Sequence, residues 1–446
     1  MYNGFFQAAL SEQVTIQAEL RQRTSTEGDL AFNFDPDDYQ ADKTLKRELR
    51  TARLGLRYSP VPQSHYLLSY SDSQREEQVS ESQLQPPVVG ITTLSNTSAA
   101  DEAAKQFEAQ FLHTLTAMNL VVGAAWSELD RVNNINLSVD DSIIGNLFAR
   151  AGQEQSDSTH PRVYSYLNIR SGQTATWTLG ASYERFGQGD FKESEFNPKL
   201  GLQWDLPADL RLRVAAFQSI KPALVGNRTL EPTQIAGFNQ LFDDINGTRS
   251  RRYGLGLDWR ASRTVTSGIE LSTRRLDEPL FDGMNSVWIT EERKEQYHQL
   301  YGNWALSQQL ALDVALVYDQ YKSAIGIATE GGNLPENVTA WRIPVSLNYF
   351  APFGVFAGLG SSYVDQSVRR SLTATQASGE DQFVTVDASV GYRLAQRRGL
   401  LSLAIRNLFD TRFNYQDDSY REFRDEPSIG PYFPVRNVVA RLVLNY

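Results

Sequence analysis

The sequence of 446 residues contains no cysteine, and its apolar runs stay far below the roughly 18 residues that a membrane-spanning helix needs. The lack of cysteine excludes a disulfide scaffold, a thiolate zinc site and a cysteine nucleophile. The short apolar runs and the mean hydropathy of −0.41 exclude a helical membrane protein. Lysine and arginine form no cluster and the net charge is −10, so we expect no nucleic acid partner. Two classes remain, a soluble β-rich protein and a membrane β-barrel.

The start of the chain has no basic segment followed by an apolar core, so it carries no signal peptide. A barrel reaches the outer membrane by a secretory route. We therefore expect the chain to be a mature form or a module of a longer protein, with residues 1–446 as a single barrel domain.

Alternation of apolar and polar residues runs through the whole sequence. In the segment 13–23, Val14, Ile16, Ala18 and Leu20 share one face, and polar residues share the other. About eighteen such runs, from 13–23 to 435–446, predict antiparallel strands at a spacing too long for a soluble sandwich. Residues 101–111 also fit a helix, but we favour a strand. Residues 2–10 resemble a further strand, which gives about nineteen and implies one more upstream, because such barrels have even strand numbers. The alternative is an unpaired lead-in.

The connections between the runs alternate in length. Short turns lie near 59–62, 118–119, 171–173, 207–209, 261–264, 307–309, 351–353 and 396–398. Long polar segments lie near 24–43, 78–102, 136–160, 222–249, 279–292, 325–337, 371–380 and 413–434. Short periplasmic turns and long outer loops are typical of an outer-membrane barrel. The sequence therefore predicts a transmembrane antiparallel up-and-down β-barrel of about 18 strands.

Aromatic residues fall at two levels along the runs. One level lies near the short turns and the other near the long loops, as in the girdles where a barrel meets the membrane surface. The predicted girdle consists of Trp177, Trp204, Trp259, Trp304, Trp341 and Tyr446.

The sequence resembles a known family, loosely over most of the chain and sharply only in short motifs. Asn407-Leu408-Phe409-Asp410-Thr411-Arg412-Phe413, a long loop and a closing strand to Tyr446 are similar to the end of TonB-dependent receptor barrels. Val435 stands where that family has glycine. Residues 230–240 resemble a second group, in which tetratricopeptide repeats precede an outer-membrane barrel. A TonB-dependent receptor also needs an N-terminal box and a plug domain, and nothing before Gln13 matches either. The resemblance thus implies a barrel without its plug or repeats.

No catalytic constellation stands out, and we expect neither an enzyme nor a cofactor. The four histidines, His65, His113, His160 and His298, have no partner at metal-ligand spacing. Acidic clusters near 35–38 and 140–141 lack the spacing of a calcium loop, which favours solvated loops.

The polar face of the strands carries many charges. The candidate lumen-facing charges are Asp205, Arg211, Arg213, Asp258, Arg260, Glu270, Arg274, Asp313, Asp387, Arg406 and Arg441. They fit two interpretations that do not exclude each other, a wet conduit for a polar solute or polymer and a wall of cross-strand ion pairs. For this reason arginine at Gly201 or Gly256 is expected to cost less stability than arginine at Leu202 or Leu257.

The segment 222–249 is the candidate gating loop. It combines Pro232, Phe238, Phe242 and Asp243, and a long loop with such aromatics can fold into the lumen or form an outer binding surface.

These observations lead to three functional hypotheses. The first is an outer-membrane barrel that acts as a passage or export conduit and has periplasmic domains of the same parent chain as partners. The second is the barrel of a TonB-dependent uptake receptor. The third is a soluble all-β binding or structural protein. Outer-membrane lipid is the expected partner of the first two.

The girdle gives a testable prediction. Trp204, Trp259 and Trp304 all stand close before a short turn on the apolar face, so we expect them at one depth near the periplasmic surface. Quenching by brominated lipids at defined depths should place all three in one headgroup layer. A tryptophan quenched best from the bilayer midplane would contradict the assigned register.

Overall fold

A computed structural model gives the fold and describes residues 1–28, 42–85, 88–223, 228–240, 244–282, 287–323, 335–370, 378–417 and 432–444. Phe242, Asp243, Tyr446 and the acidic cluster 35–38 lie outside these residues. The strands are β1 Tyr2–Ala9, β2 Val14–Gly28, β3 Thr44–Val61, β4 Ser64–Gln85, β5 Thr92–Thr114, β6 Met118–Asp141, β7 Gly145–Thr159, β8 Arg162–Ser171, β9 Ala175–Gln188, β10 Phe191–Leu206, β11 Leu210–Ile220, β12 Gln234–Ile235, β13 Phe238–Asn239, β14 Arg249–Trp259, β15 Val265–Asp282, β16 Val287–Ala305, β17 Leu310–Ser323, β18 Pro335–Phe350, β19 Val355–Arg370, β20 Gly379–Arg393, β21 Gly399–Arg406 and β22 Asn437–Leu444. A short 3₁₀ turn, Ala395–Arg397, precedes β21.

All strands except β12 and β13 form one antiparallel sheet of 20 strands. Each strand pairs with its neighbours in sequence, which is the up-and-down order that the sequence predicts. β7 and β8 share one position, because β7 pairs with the upper part of β6 and β8 with the lower part. His160 and Pro161 separate the two. The described sheet therefore has nineteen positions, and β1 and β22 run in the same direction.

Two predicted strands are confirmed by the pairing. Residues 2–9 pair with β2 from Tyr2↔Gln22 to Ala9↔Thr15, so this segment is not an unpaired lead-in. Residues 101–111 belong to β5 and not to a helix. Within the described residues, no helix is long and apolar enough to span a membrane.

The prediction of long loops near 78–102 and 136–160 is wrong, because most of both segments is strand. β4 and β5 continue as one ladder to Gln85↔Thr92, and β6 and β7 continue to Asp141↔Gly145. These extensions are polar on both faces, so they lack the apolar alternation that marks a strand. Their ladders are supported by polar pairs, such as the 2.8 Å hydrogen bond from the Ser98 hydroxyl to Asn133 Oδ1.

The two faces of the sheet differ in chemistry. The outer face exposes a broad apolar surface that includes Leu54, Phe107, Leu255 and Leu359, each at least 46% exposed. The inner face carries the charged residues. Side chains of that face on β2, β5, β8, β14 and β15 all contact the one loop between β11 and β14. The sheet therefore curves around this loop as a barrel wall.

The predicted girdle residues lie on the outer face wherever they are described. Trp177, Trp204, Trp259, Trp304 and Trp341 are 40–49% exposed. Trp259 pairs with Leu210 and Trp304 with Val265, both of which are first residues of strands that leave a short turn.

The family-like motif after β21 fixes the final loop. The Asn407 side chain donates from Nδ2 to the carbonyls of Thr411 at 2.7 Å and Phe433 at 2.8 Å, and its Oδ1 accepts from the Thr411 N–H. The Asp410 carboxylate accepts from the backbone N–H of Arg436 at 2.7 Å. These bonds hold both ends of the loop together at the start of β22, a local geometry that explains the motif.

Asp141 joins the tips of two polar hairpins. Its carboxylate accepts backbone N–H bonds from Ile143 at 2.9 Å and, across the hairpins, from Gly90 at 2.8 Å and Val89 at 3.1 Å. These N–H donors, Ile143 first, hold the pKa of Asp141 below its ordinary value. This acidic residue thus serves as a structural acceptor.

The role of Asp141 predicts a local effect at the hairpin tips. In Asp141→Asn, the amide oxygen replaces only part of the acceptor capacity, so we expect faster hydrogen exchange in residues 88–92 and 142–144. Asp140→Asn is the control, because the hydrogen bonds of Asp140 within the described residues come from the side chains of Ser138 and Asn146. The lowered pKa means that this stabilisation is present above about pH 4 and is lost as the pH falls through the folded-state pKa. Equal exchange in both variants would contradict the assignment.

Candidate functional site

The loop between β11 and β14, residues 222–248, is named the inner loop; 224–227 and 241–243 of it are not described. Its centre is a two-residue hairpin in which Ile235 pairs with Phe238. Ala236 and Gly237, the turn residues, have φ of 48° and 87°, as a type I′ turn requires. Ile235 and Phe238 are almost fully buried. Because the hairpin is apolar and small, it packs against the inner wall instead of projecting into solvent.

Phe238 is bound between two arginines of the wall. The guanidinium carbon of Arg213 on β11 lies 5.1 Å from the ring centroid, and that of Arg252 on β14 lies 5.6 Å away. A Cβ at Gly254 would lie 2.5 Å from the Phe238 ring, so only glycine leaves room for it. Arg252 also donates to the carbonyl of Asn239 at 2.9 Å. Cation–π contacts and a backbone hydrogen bond thus fix this end of the loop.

The other end is held by Glu108 on β5. Its two oxygens accept from the backbone N–H groups of Leu230 at 2.8 Å and Glu231 at 3.1 Å, and from the hydroxyls of Thr229 at 2.8 Å and Tyr164 at 2.9 Å. Glu108 is 1% exposed, so a carboxylate without such partners would carry a large desolvation cost. Charge-assisted hydrogen bonds of this kind are the stronger ones.

Two buried cations lie among Glu108 and Glu231. Arg162 lies 3.6 Å from Glu108 and 3.4 Å from Glu231 of the loop, and Lys199 lies 3.8 Å from Glu231. The Tyr166 hydroxyl donates to Glu231 as well. We name these five residues, Glu108, Arg162, Tyr166, Lys199 and Glu231, the Glu108 cluster.

The inner loop reaches across the barrel. Arg228 forms a 2.7 Å ion pair with Glu19 on β2, and Asp244 forms one of the same length with Arg274 on β15. The hairpin lies against Gly201, where an added Cβ would be 2.9 Å from Ile235. Gly201 precedes the end of β10 by five residues, about 17 Å of strand. The loop therefore lies within the lumen, at the depth of the roughly 25 Å apolar band.

A cavity of about 430 Å³ lies between the hairpin and the wall formed by β14 to β17. Most of the residues that line it are polar or charged, and the full set is Gln234, Gly237, Phe238, Asn239, Asp244, Arg252, Glu270, Ser272, Arg274, Glu295, Gln296, Tyr297 and Asp319. The cavity volume is within the range of small-molecule sites. Carboxylates, guanidinium groups, amides and hydroxyls together favour a polar ligand.

The structure distributes the other candidate lumen charges along the wall. Arg213 bonds Asp258 at 2.7 Å and Glu270 at 3.3 Å, and Arg274 bonds Glu295 at 2.9 Å. Near the short turns, Asp205 and Arg211 form a 2.6 Å pair. The remaining charges lie away from the inner loop: Asp313 accepts from Ser346 and Asn348, Asp387 from the Asn407 N–H, Arg406 lies over Phe433, and Arg441 is exposed on β22. Arg260 lies one residue beyond β14, in the short turn.

The reason for one sequence expectation does not hold. The sequence predicts that arginine at Gly201 or Gly256 costs less stability than arginine at Leu202 or Leu257, on the ground that the inner face is wet. A Cβ at Gly256 would lie 2.8 Å from Arg213, and one at Gly201 lies against the hairpin. Both glycines thus face packed groups instead of open water.

One histidine takes part in the buried network. His160 is 1% exposed, and its Nε2 lies 3.1 Å from the Glu184 carboxylate, which also accepts from Ser182 and Asn197. His65 and His113 each lie beside a serine hydroxyl, and His298 stacks on Tyr318. In the part of the chain that is described, no group of three or more His, Asp or Glu side chains forms a metal site.

Sequence analysis missed the Glu108 cluster. Glu108, Arg162 and Lys199 stand at polar positions of their strands, like many other charges, and Glu231 lies in a loop. The signal available was their combination with small residues at Gly201 and Gly254, which marks where something approaches the wall.

Fold and site define a class of protein, a transmembrane β-barrel with a charged inner wall and an inward-folded loop. Residues 4–267 match the family model "TonB dependent receptor-like, beta-barrel", which is more than half of the chain. The chain belongs to this family of bacterial outer-membrane proteins.

Solved structures agree with this fold. The chain is similar to the ferripyoverdine receptor of the outer membrane of Pseudomonas aeruginosa, with a TM-score of 0.67, 11% identity, and coverage of 98% of this chain and 63% of that one. It is also similar to the ferric citrate transporter FecA, with a TM-score of 0.67, 14% identity and coverage of 98% and 68%. The siderophore receptor PiuA from Acinetobacter baumannii is similar as well, with a TM-score of 0.68, 12% identity, and coverage of 99% of this chain and 73% of that one.

The chain spans just under two thirds of the length of the first of these relatives. No curated protein matches the sequence.

The Glu108 cluster predicts how the inner loop is released. In Glu108→Gln, Arg162 loses one of its charged partners, and the backbone N–H groups of Leu230 and Glu231 lose a charged acceptor. Removing one partner of a buried ion pair costs about 3–5 kcal/mol. We expect the loop to leave the wall while the barrel stays folded. Because the chain has no cysteine, Ile235→Cys in the buried hairpin serves as the reporter. A water-soluble maleimide should label it at least tenfold faster with Glu108→Gln.

Glu154→Gln is the matched control for this experiment, since Glu154 is exposed on β7. It should leave the labelling rate unchanged. Equal rates in the Glu108 and Glu154 variants would contradict the role of Glu108.

Proposed function

We propose that this protein is a non-enzymatic transport barrel that takes a polar ligand inward across the outer membrane, and that the inner loop restricts its lumen. The observation that carries the proposal is the position of the inner loop, which is fixed to opposite parts of the wall by Arg228–Glu19 and Asp244–Arg274. A loop held in this way narrows the passage at the depth of the membrane.

The cavity beside the loop supports a ligand of moderate size and mixed polarity. It presents four carboxylates and two guanidinium groups, together with amides and hydroxyls. Arg274 is held by Asp244 and Glu295, so these groups keep fixed directions and are ordered before a ligand arrives. Preorganised polar groups of this kind orient a ligand.

Inward uptake is favoured over the export conduit by the comparisons. The structures named above are receptors and transporters of ferric complexes or siderophores, and the family model is that of a receptor barrel. Under the proposal, the ligand of this chain is a polar compound such as a metal chelate, and the loop yields as the ligand passes. Residues 230–240, whose sequence resembles that of repeat-fused barrels, include the hairpin of the inner loop.

Single-channel recording in planar bilayers tests the restriction. Gly254→Val places methyl groups where Phe238 lies, and overpacking of this kind costs about 1–3 kcal/mol, so the hairpin should be displaced. We expect the conductance to rise severalfold above that of the unaltered barrel. Deletion of residues 228–240 should raise it further.

Gly302→Val is the control, because a Cβ at Gly302 on β16 has nothing within 4 Å. Its conductance should equal that of the unaltered protein. An unchanged conductance in Gly254→Val and in the deletion would show that the inner loop does not restrict the lumen.

A further inference from the structure

The polar hairpins above the membrane end in an open sheet edge. We name the sheet formed by 73–85, 92–104, 129–141 and 145–158, from β4 to β7, the upper sheet. β7 pairs with β6 from Glu128↔Thr159 to Asp141↔Gly145. On its other side, the described pairing is limited to Ser158↔Gln188 and Thr159↔Gly187. The neighbouring hairpin of β9 and β10 turns back at Gly189, so β7 extends well beyond it.

The direction of the backbone groups along this edge follows from two hydrogen bonds. The N–H and the C=O of His160 both bond to Ser127 on the β6 side, whereas the carbonyl of Asp157 accepts from Gly189 on the β9 side. Backbone groups alternate along an antiparallel strand. Odd-numbered residues from 149 to 157 therefore direct their N–H and C=O away from β6. Four of these residues are exposed, and within the described chain no strand pairs with their outward N–H and C=O groups. They are Ala149, Ala151, Gln153 and Gln155.

This edge lacks the features that usually protect an open edge. Natural edge strands carry proline, lysine, bulges or a covering segment. Residues 145–159 contain neither proline nor lysine, and their only charges are Arg150, Glu154 and Asp157. The one irregularity of the ladder lies at the tip, between Val139 and Asp140 of β6. About 30 Å of regular strand remains open.

Symmetry argues against a second copy of the chain as the occupant. All copies in one membrane have their short turns on the same side. A rotation about the membrane normal therefore brings two copies of β7 together running in the same direction. Two edge strands related by that axis also meet residue for residue, so that like backbone groups face each other and the ladder of hydrogen bonds cannot form. A symmetric second copy therefore does not fit this edge, and we take a different polypeptide as its occupant.

We propose that the free edge of β7 binds an extended segment of another protein outside the membrane by strand addition. Main-chain hydrogen bonds to Ala149, Ala151, Gln153 and Gln155 supply the binding. Cross-strand neighbours set the preference. The segment runs antiparallel to β7 and has an acidic residue opposite Arg150. Four positions earlier in the same segment, a basic residue lies opposite Glu154. Small or neutral residues lie opposite Ala149 and Ala151.

The test uses the barrel in nanodiscs and a fluorescent peptide, Ser-Lys-Thr-Val-Thr-Glu-Val-Thr-Ser, which has this charge pattern. Fluorescence anisotropy should show saturable binding, and deuterium uptake of residues 145–157 should fall when the peptide is bound. The double variant Ala149→Pro and Ala151→Pro removes two outward N–H groups and leaves the β6–β7 ladder intact. It should bind at least tenfold more weakly.

Ala149→Val with Ala151→Val is the matched control, since it keeps both N–H groups, and its affinity should stay within twofold. A peptide N-methylated at alternate residues tests the same contact on the unaltered protein. Methylation of the residues whose N–H groups face β7 must abolish binding. Methylation of the other residues, whose N–H groups point away from β7, must retain it. Absence of saturable binding, or equal effects of the two methylated sets, overturns the proposal. Conductance does not enter this test, so its outcome is independent of the transport function.

Discussion

The carboxylate of Glu108 is the contact on which the interior of this barrel depends. It is buried in the inner wall, where Tyr164 and Arg162 satisfy part of it and the inner loop supplies two further backbone N–H groups and a hydroxyl. The loop depends on the carboxylate in turn, because Glu108 is the acceptor of the Leu230 N–H and one of two acceptors of the Glu231 N–H. Neither the wall nor the loop satisfies its polar groups alone.

This mutual dependence reconciles the two interpretations of the charged inner face. Around the inner loop, the charges form short ion pairs and behave as a packed interior. Near the short turns, Asp205 and Arg211 pair while about half exposed, as expected of a wet opening. The inner wall is therefore part core and part aqueous surface, and the position of the loop decides which part is which.

The fold could be predicted from the sequence because the patterns that define it involve residues that are close in sequence. Period-two alternation assigns the strands and their lipid face, and the alternation of turn lengths assigns the ends. The motif at Asn407 is also local, because its side chain bonds residues that flank a single loop. The extended hairpins of β4 to β7 were missed for the same reason, since polar residues on both faces leave no periodic signal.

The inner loop was recognisable as a candidate through Pro232 and Phe238, but its position was not. Glu108 and Glu231 are far apart in sequence, and nothing in the sequence distinguishes Glu108 from other charges on the polar face. Only the curvature of the sheet brings them together. The placement of a loop in a lumen is therefore a tertiary property, even where each strand of the wall is predictable.

The contact between Arg228 and Glu19 has a consequence for how the protein reaches its final state. These residues are separated by 209 positions, the largest separation of any side-chain hydrogen bond described here. Closing such a long segment of chain is entropically costly until the intervening strands have already formed. The wall from β2 to β11 must therefore assemble before this contact forms. Docking of the inner loop onto β2 is thus a late step of folding, which requires that the intervening strands are already in place.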